Sequence, residues 1–198
     1  MRIIAGALKG RRLTAPAWSG LRPTSDKLRE TLFNILAPRI SGARVLDGYA
    51  GTGAIGIEAI SRGASHVTFV ERDPRAAALV AENLRRCGVR DGYAIIRADL
   101  RAALARGQLS RDALFEIILL DPPYDEANLE TLVQGAGARL AAGGLLALEH
   151  ARRREVPSAA GDVERSRVVT SGDSALTFYR RASSTADAPP ERRDDRDA

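Results

Sequence analysis

Residues 43–63 read "ARVLDGYAGTGAIGIEAISRG", and the fold turns on how they are understood. A β-prone run through Val45 and Leu46 ends on Asp47, and Gly51, Gly53 and Gly56 then follow at the spacing G-x-G-x-x-G before a helix-prone segment. Such a turn lets a ligand approach the backbone, and taken alone it suits a nicotinamide or flavin dinucleotide as well as S-adenosylmethionine. The strand-turn-helix pattern repeats downstream. "HVTFVERD" precedes "PRAAALVAENLRRCG", with Pro74 at a helix start and Gly88 at its end. "YAIIRAD" precedes "LRAALARG", "FEIILLDPPYD" precedes "LETLVQGAGARLA", and "GGLLALEH" is a fifth strand. "RSRVVTS" and "SALTFYRR", joined at Gly172 and Asp173, close the chain as a hairpin. The pattern predicts an α/β protein with a doubly wound, mostly parallel seven-stranded sheet and an antiparallel C-terminal hairpin.

Upstream, "MRIIAGALKGRRLTAP" places β-prone pieces around Gly6 and Gly10, which predicts an N-terminal β-hairpin extension over 1–20. A helix follows, capped by Thr24 or Ser25, with Leu28, Leu32, Ile35 and Leu36 on one face and Pro38 and Gly42 ending it. The main domain is expected over 21–181. The tail 182–198, "ASSTADAPPERRDDRDA", has a composition that predicts disorder.

The chain has 198 residues, 44% hydrophobic and 28% charged, which suits one globular core. No apolar run approaches a membrane span, and the N-terminus does not read as a signal peptide. The single cysteine, Cys87, permits no intrachain disulfide and fits a reducing cytoplasm. His66 and His150 are too few and too far apart in sequence to suggest a metal site. The net charge of +5 is concentrated in residues 1–30, where Arg2, Lys9, Arg11, Arg12, Arg22, Lys27 and Arg29 face only Asp26 and Glu30. A basic leader on a balanced body suits a phosphate-bearing partner, because neutralised phosphates release counterions.

The acids at the strand ends divide the two cofactor readings. Asp47, Glu71, Asp99 and Asp121 end the first four strands, where a doubly wound sheet forms its ligand crevice. A pyrophosphate would meet these carboxylates unfavourably, whereas the ammonium and sulfonium of S-adenosylmethionine suit them. Gly51, Thr52 and Gly53 supply the close-approach turn, and Glu71 stands where a carboxylate can accept both ribose hydroxyls. After Asp121 come Pro122, Pro123 and Tyr124. An exocyclic base amine is a poor nucleophile because its lone pair is conjugated into the ring. An acid oxygen and a proline carbonyl can hold its two hydrogens, and a tyrosine ring can carry the base by stacking. This chemistry serves guanine N2, adenine N6 and cytosine N4 alike.

"RPTSDKLRETLFNIL", "VLDGYAGTGAIGIEAISRGA", "VTFVERD" and "LLDPPY", with the leader "RIIAGALKGRRL", resemble the RsmD-type bacterial methyltransferases over residues 2 to 181. The resemblance implies a class I, Rossmann-like fold and methylation of a guanine N2 amine in 16S RNA of the small ribosomal subunit, by a monomer. It implies that Asp47, Gly51, Gly53, Glu71 and Asp99 hold S-adenosylmethionine and that Asp121 to Tyr124 hold the guanine. Arg22 and Thr24 are then expected near the mouth of the site, with the basic leader on RNA. Three positions depart from the family pattern: Gly48 replaces a larger apolar residue and is expected to loosen the strand end, Thr52 replaces a serine, and Ser171 replaces an aromatic. DNA adenine-N6 methylation, an RNA-binding assembly factor and a dinucleotide oxidoreductase are the alternatives that the residues leave open.

Overall fold

A computed structural model of the chain describes residues 1–16, 18, 26–105, 109 and 114–182. The expected helix caps Thr24 and Ser25 and nearly all of the 182–198 tail lie outside these residues.

Eight strands form one sheet in the order β3-β2-β1-β4-β5-β8-β7-β6. β1 (Arg44–Asp47), β2 (His66–Val70), β3 (Tyr93–Ile96), β4 (Phe115–Leu120) and β5 (Leu140–Ala151) are parallel. β8 (Ser174–Arg181) pairs antiparallel with β5, and β7 (Val163–Ser171) with β8. The expected seven strands are present, and an eighth was missed: β6 (Ala159–Ala160) adds two residues at the edge beside β7. So short a pair leaves no alternating pattern to read.

The sheet separates two apolar clusters. One face packs Val45, Ile117, Leu119, Leu145 and Ala147 against α1 (Asp26–Leu36), α2 (Ala54–Ser61) and α3 (Pro74–Cys87). The other packs Leu46, Ile118, Leu120, Leu146 and Leu148 against α4 (Leu100–Ala105) and α5 (Leu129–Gly137). This alternation is why the parallel strands read as continuous aliphatic runs: both faces are covered. α3 carries the end signals seen in the sequence. Asp73 accepts from Arg75 N–H, Pro74 occupies the first turn, and Gly88 closes the helix at φ +78°.

The leader is less regular than a hairpin. Its two arms share one antiparallel bridge, Arg2 to Arg12, with Ile3 N–H donating to Arg11 C=O at 3.0 Å and Gly10 N–H to Ile3 C=O at 2.9 Å. What holds it is α2. Glu58, fully buried, accepts from Ile4 N–H at 2.7 Å and Ala5 N–H at 2.9 Å, and pairs with Arg62 at 2.8 Å. Ser61 Oγ accepts from Leu8 N–H at 2.9 Å. Gly6, at φ +82°, passes so close to Ser61 that a Cβ there would lie 1.9 Å from its carbonyl oxygen. Ile3 and Leu13 join the core. The basic leader is therefore a strap bonded to the helix that follows the glycine turn.

The strand-to-helix turn itself is fixed from below. Asp47 Oδ2 accepts from Gly56 N–H at 2.9 Å, and both residues are buried. Burial foremost pushes the Asp47 carboxyl up to about 7; the bond from Gly56 opposes the shift, and the nearby Asp121 and Glu71 add to it.

Two stability effects follow. Glu58→Ala leaves two leader N–H groups and the Arg62 guanidinium unpaired, and should lower unfolding free energy by about 3 kcal/mol in urea titration. For Asp47, the unfolded chain ionises near pH 4 while the folded chain keeps the proton to about pH 7, so folding stability falls as pH rises across that window. Asp47→Asn retains an acceptor without titrating. Its stability relative to wild type should climb between pH 4 and 7 and then level off; a difference constant with pH would refute the buried proton.

Candidate active site

Because the chain crosses from β3 over β2 and β1 to β4, the connections leaving β1 and β4 diverge and open a crevice at their C-terminal ends. A cleft of about 920 Å³ lies there, walled by residues 48–52, 70–73, 98–100 and 121–124, with Glu149 and Ser174 from β5 and β8.

The glycine turn forms one wall. Gly51 and Gly53 adopt φ +54° and +77°, where a side chain would be strained, and Gly53 N–H closes the turn on Ala50 C=O at 2.7 Å. Glu71 braces it: one carboxylate oxygen accepts from Gly51 N–H at 2.9 Å and the other from Asp73 N–H at 2.8 Å. A carboxylate offers about four acceptor positions, so Glu71 keeps capacity for a ribose diol. Asp99 caps α4 through Ala102 N–H at 3.1 Å and stands exposed at the cleft edge. Thr52 lines the cleft, and its carbonyl accepts from the buried Asn83 side chain at 2.9 Å.

Of the residues expected to touch the cofactor, Gly51, Thr52, Glu71, Asp99 and Asp121 line the cleft, whereas Asp47 and Gly53 do not. Asp47 acts from beneath, through Gly56 N–H. The expectation for Gly48 also needs correction. A Cβ there would meet Leu120 and Leu100 side chains at 2.7 and 2.8 Å, so the space that a larger residue would take is filled and the strand end is not loosened. Ser171 pairs with Ser174 at the β7–β8 turn, beside the residue that holds Tyr124.

The opposite wall is the D-P-P-Y segment. Pro122 is buried, Pro123 exposed, and both line the cleft with Asp121 and Tyr124. Tyr124 hydroxyl and Ser174 Oγ share a hydrogen bond of 2.9 Å. Arg154 donates to the carbonyls of Tyr124 and Glu126. Glu126 also pairs with Arg101 at 2.6 Å and accepts from the Tyr49 hydroxyl at 3.3 Å. Burial first, and then Glu126, raise the Tyr49 phenol well above its ordinary value, so it stays a donor. This bracing escaped the sequence reading because its members lie 25 to 77 positions apart and carry no local signal.

Glu149 is a cleft residue that the strand-end rule did not mark, because pairing with β8 carries β5 two residues beyond it. Pairing of Leu120 with Leu148 sets Asp121 level with Glu149 one strand away. The carboxylate is buried and lines the cleft.

Arg2, Lys9, Arg11, Arg12 and Lys27 are exposed, as a polyanion contact requires, and Arg22 and Thr24 fall outside the described residues. Arg29 does not fit that role. Its side chain is fully buried, donating through Nη2 to Arg2 C=O at 2.8 Å and Asp26 at 3.0 Å, because the helix face carrying Leu28 and Leu32 also turns it inward. Its Nε and Nη1 find no partner among the described residues, and it contributes to the cleft wall. Trp18 is at the same cleft, with the Arg75 guanidinium 5.0 Å from its ring centre. No cluster of metal-binding side chains, and no helix long and apolar enough to cross a membrane, occurs among the described residues.

Comparison with known proteins agrees with this geometry. The family described as conserved hypothetical protein 95 matches residues 1–180. "Putative rRNA methyltransferase YlbH" of Bacillus subtilis is 38% identical over 183 residues, covering 91% of this chain and 99% of that one. "Ribosomal RNA small subunit methyltransferase D" of Haemophilus influenzae is 40% identical over 126 residues, 63% of this chain and 64% of that one. Among solved structures, "Putative methyltransferase yhhF" from Escherichia coli superposes with a TM-score of 0.80 at 33% identity, covering 91% and 97% of the two chains. With its Rossmann-like sheet and its two cleft walls, the chain belongs to the RsmD-type family of S-adenosylmethionine-dependent ribosomal RNA methyltransferases.

Proposed function

We propose that the chain methylates the N2 amine of a guanine in 16S RNA of the small ribosomal subunit, acting as a monomer in the cytoplasm. The observation that carries this reading is the convergence of the glycine turn and the Asp121–Tyr124 segment on one acid-lined cleft. When bound, S-adenosylmethionine supplies an electrophilic methyl group on a positively charged sulfur. The residues present suit it. Glu71, which lines the cleft and braces Gly51, would take the ribose diol, the strand-end acids would favour the ammonium and sulfonium, and Arg29 in the wall would supply positive potential for the carboxylate.

The chain's own part in the reaction is positioning and electrostatics. Tyr124, held by Ser174 and Arg154, offers a ring face to a base drawn out of its stack. Asp121 and the Pro122 carbonyl accept the two N2 hydrogens and turn the nitrogen lone pair toward the methyl group. An amine that gained the methyl group would become cationic. Asp121 would favour that charge and take the departing proton or pass it to water, leaving neutral methylamino-guanine.

Asp121→Ala should therefore lower turnover by at least about 100-fold while cofactor affinity changes far less, measured by single-turnover methyl transfer and calorimetry. Methyl transfer at the wild-type rate would remove Asp121 from the chemistry. Replacing Lys9, Arg11 and Arg12 together by glutamine should weaken RNA binding and reduce the slope of log affinity against log salt by about 2 to 3. An unchanged slope would place the RNA contact elsewhere.

A further inference from the structure

We propose that Glu149 selects guanine by accepting its N1–H, so that the chain's specificity for the base resides at the end of β5 and not in the D-P-P-Y segment. The inference rests on the N2 reading above and adds the group that discriminates among bases.

Four observations place it. Glu149 is buried and lines the same cleft as Asp121, Pro122 and Tyr124. The β4–β5 register sets it beside Asp121, roughly 4.8 Å away in backbone terms. Period-2 alternation along β5 turns it to the side of Leu145 and Ala147, and Ile117 and Leu119 on β4 share that side. The neighbouring strand β8 contributes Ser174, which fixes the Tyr124 ring. A base stacked on Tyr124 with its amine at Asp121 therefore presents the next ring position to Glu149.

The chemistry of the three base amines then decides the outcome. Adenine N6 is flanked by the acceptor N1, and cytosine N4 by the acceptor N3. Guanine N2 alone is flanked by a donor, N1–H. A carboxylate, which only accepts when ionised, bonds the guanine edge and meets a lone pair in the other two. Asp121 and Pro122 cannot make this distinction, since every amine offers them two hydrogens. A carboxylate oxygen set against a ring-nitrogen lone pair is repelled where guanine would be bonded, which is how a site gains large discrimination from one group.

The test uses 2-aminopurine, which keeps the N2 amine, replaces N1–H by an acceptor and lacks O6, a loss that wild type and a Glu149 variant meet alike. The methylated nucleotide is first mapped by mass spectrometry after incubating unmodified small subunits with labelled S-adenosylmethionine. Subunits are then reconstituted with guanine or 2-aminopurine at that position. Wild type should favour guanine by about 100-fold in kcat/KM, reflecting a hydrogen bond to a charged group together with the lone-pair clash. Glu149→Gln, whose amide can donate to N1, should slow guanine methylation at least about 10-fold and bring the preference near unity or invert it. Its methylation of 2-aminopurine, which should not fall, shows in the same assay that the variant folds and binds the cofactor. Equal use of both bases by wild type, which needs no variant, would overturn the inference, as would an unchanged preference in the Gln variant. Methyl found on any atom other than guanine N2 would instead overturn the functional reading on which the inference rests.

Discussion

The hydrogen bond from Gly56 N–H to the buried Asp47 carboxyl group ties the end of β1 to the first turn of α2. Everything in the cleft is referenced to that junction. Above it the backbone passes through Gly51 and Gly53 at positive φ, exposing a surface with no side chains to hold a ligand away. Gly56 must lack a Cβ as well, since one would lie 2.2 Å from the Phe69 ring and 3.0 Å from Asp47 Oδ2. The carboxyl lies beneath the turn and is not among the groups that line the cleft. Its position explains why an acid occurs before the glycines even though it does not face the cleft.

The same helix carries the leader. Glu58 and Ser61 lie one and two turns along α2 from Ala54, and they bind the strap that displays Lys9, Arg11 and Arg12. The exposed basic leader and the glycine-turn wall of the cleft are thus both joined to α2. Arg29 extends the connection: it bonds the backbone of Arg2 while contributing to the cleft wall. A basic residue in the leader region is accordingly not always a surface residue, and burial among Leu28 and Leu32 separates Arg29 from its neighbours Lys27 and Arg2.

What could be read from the sequence was what local rules govern. Strand alternation, the glycine spacing, Asp73 and Pro74 opening α3 and Gly88 closing it are each set within a few residues, and the structure places them as expected. The strand-end acids were legible because a parallel sheet brings all such ends to one side. Glu149 lies level with those ends but inside β5, which pairing with β8 extends to Ala151, so no strand end marks it in the sequence. Arg154, Arg101 and Ser174 were illegible for a different reason. Their partners are set by the register of β5 with β8 and by the path of the 124–128 loop, which no local pattern encodes.

Glu126 shows how those long-range contacts bear on function. Its carboxylate meets Tyr49, which directly precedes Ala50 and the glycine turn, and Arg101, which follows Asp99 by two positions. Its backbone carbonyl meets Arg154, which also bonds the carbonyl of Tyr124. The loop that would carry the target base is therefore braced by Tyr49 beside the glycine turn and by Arg101 in the first turn of α4. A methyl transfer governed by geometry needs the amine nitrogen and the methyl carbon aligned to within a fraction of an ångström. Prolines stiffen Asp121's exit locally, but they cannot fix it relative to the other wall. The Tyr49–Glu126–Arg101 contacts do, by making the distance between the two walls a property of one connected network.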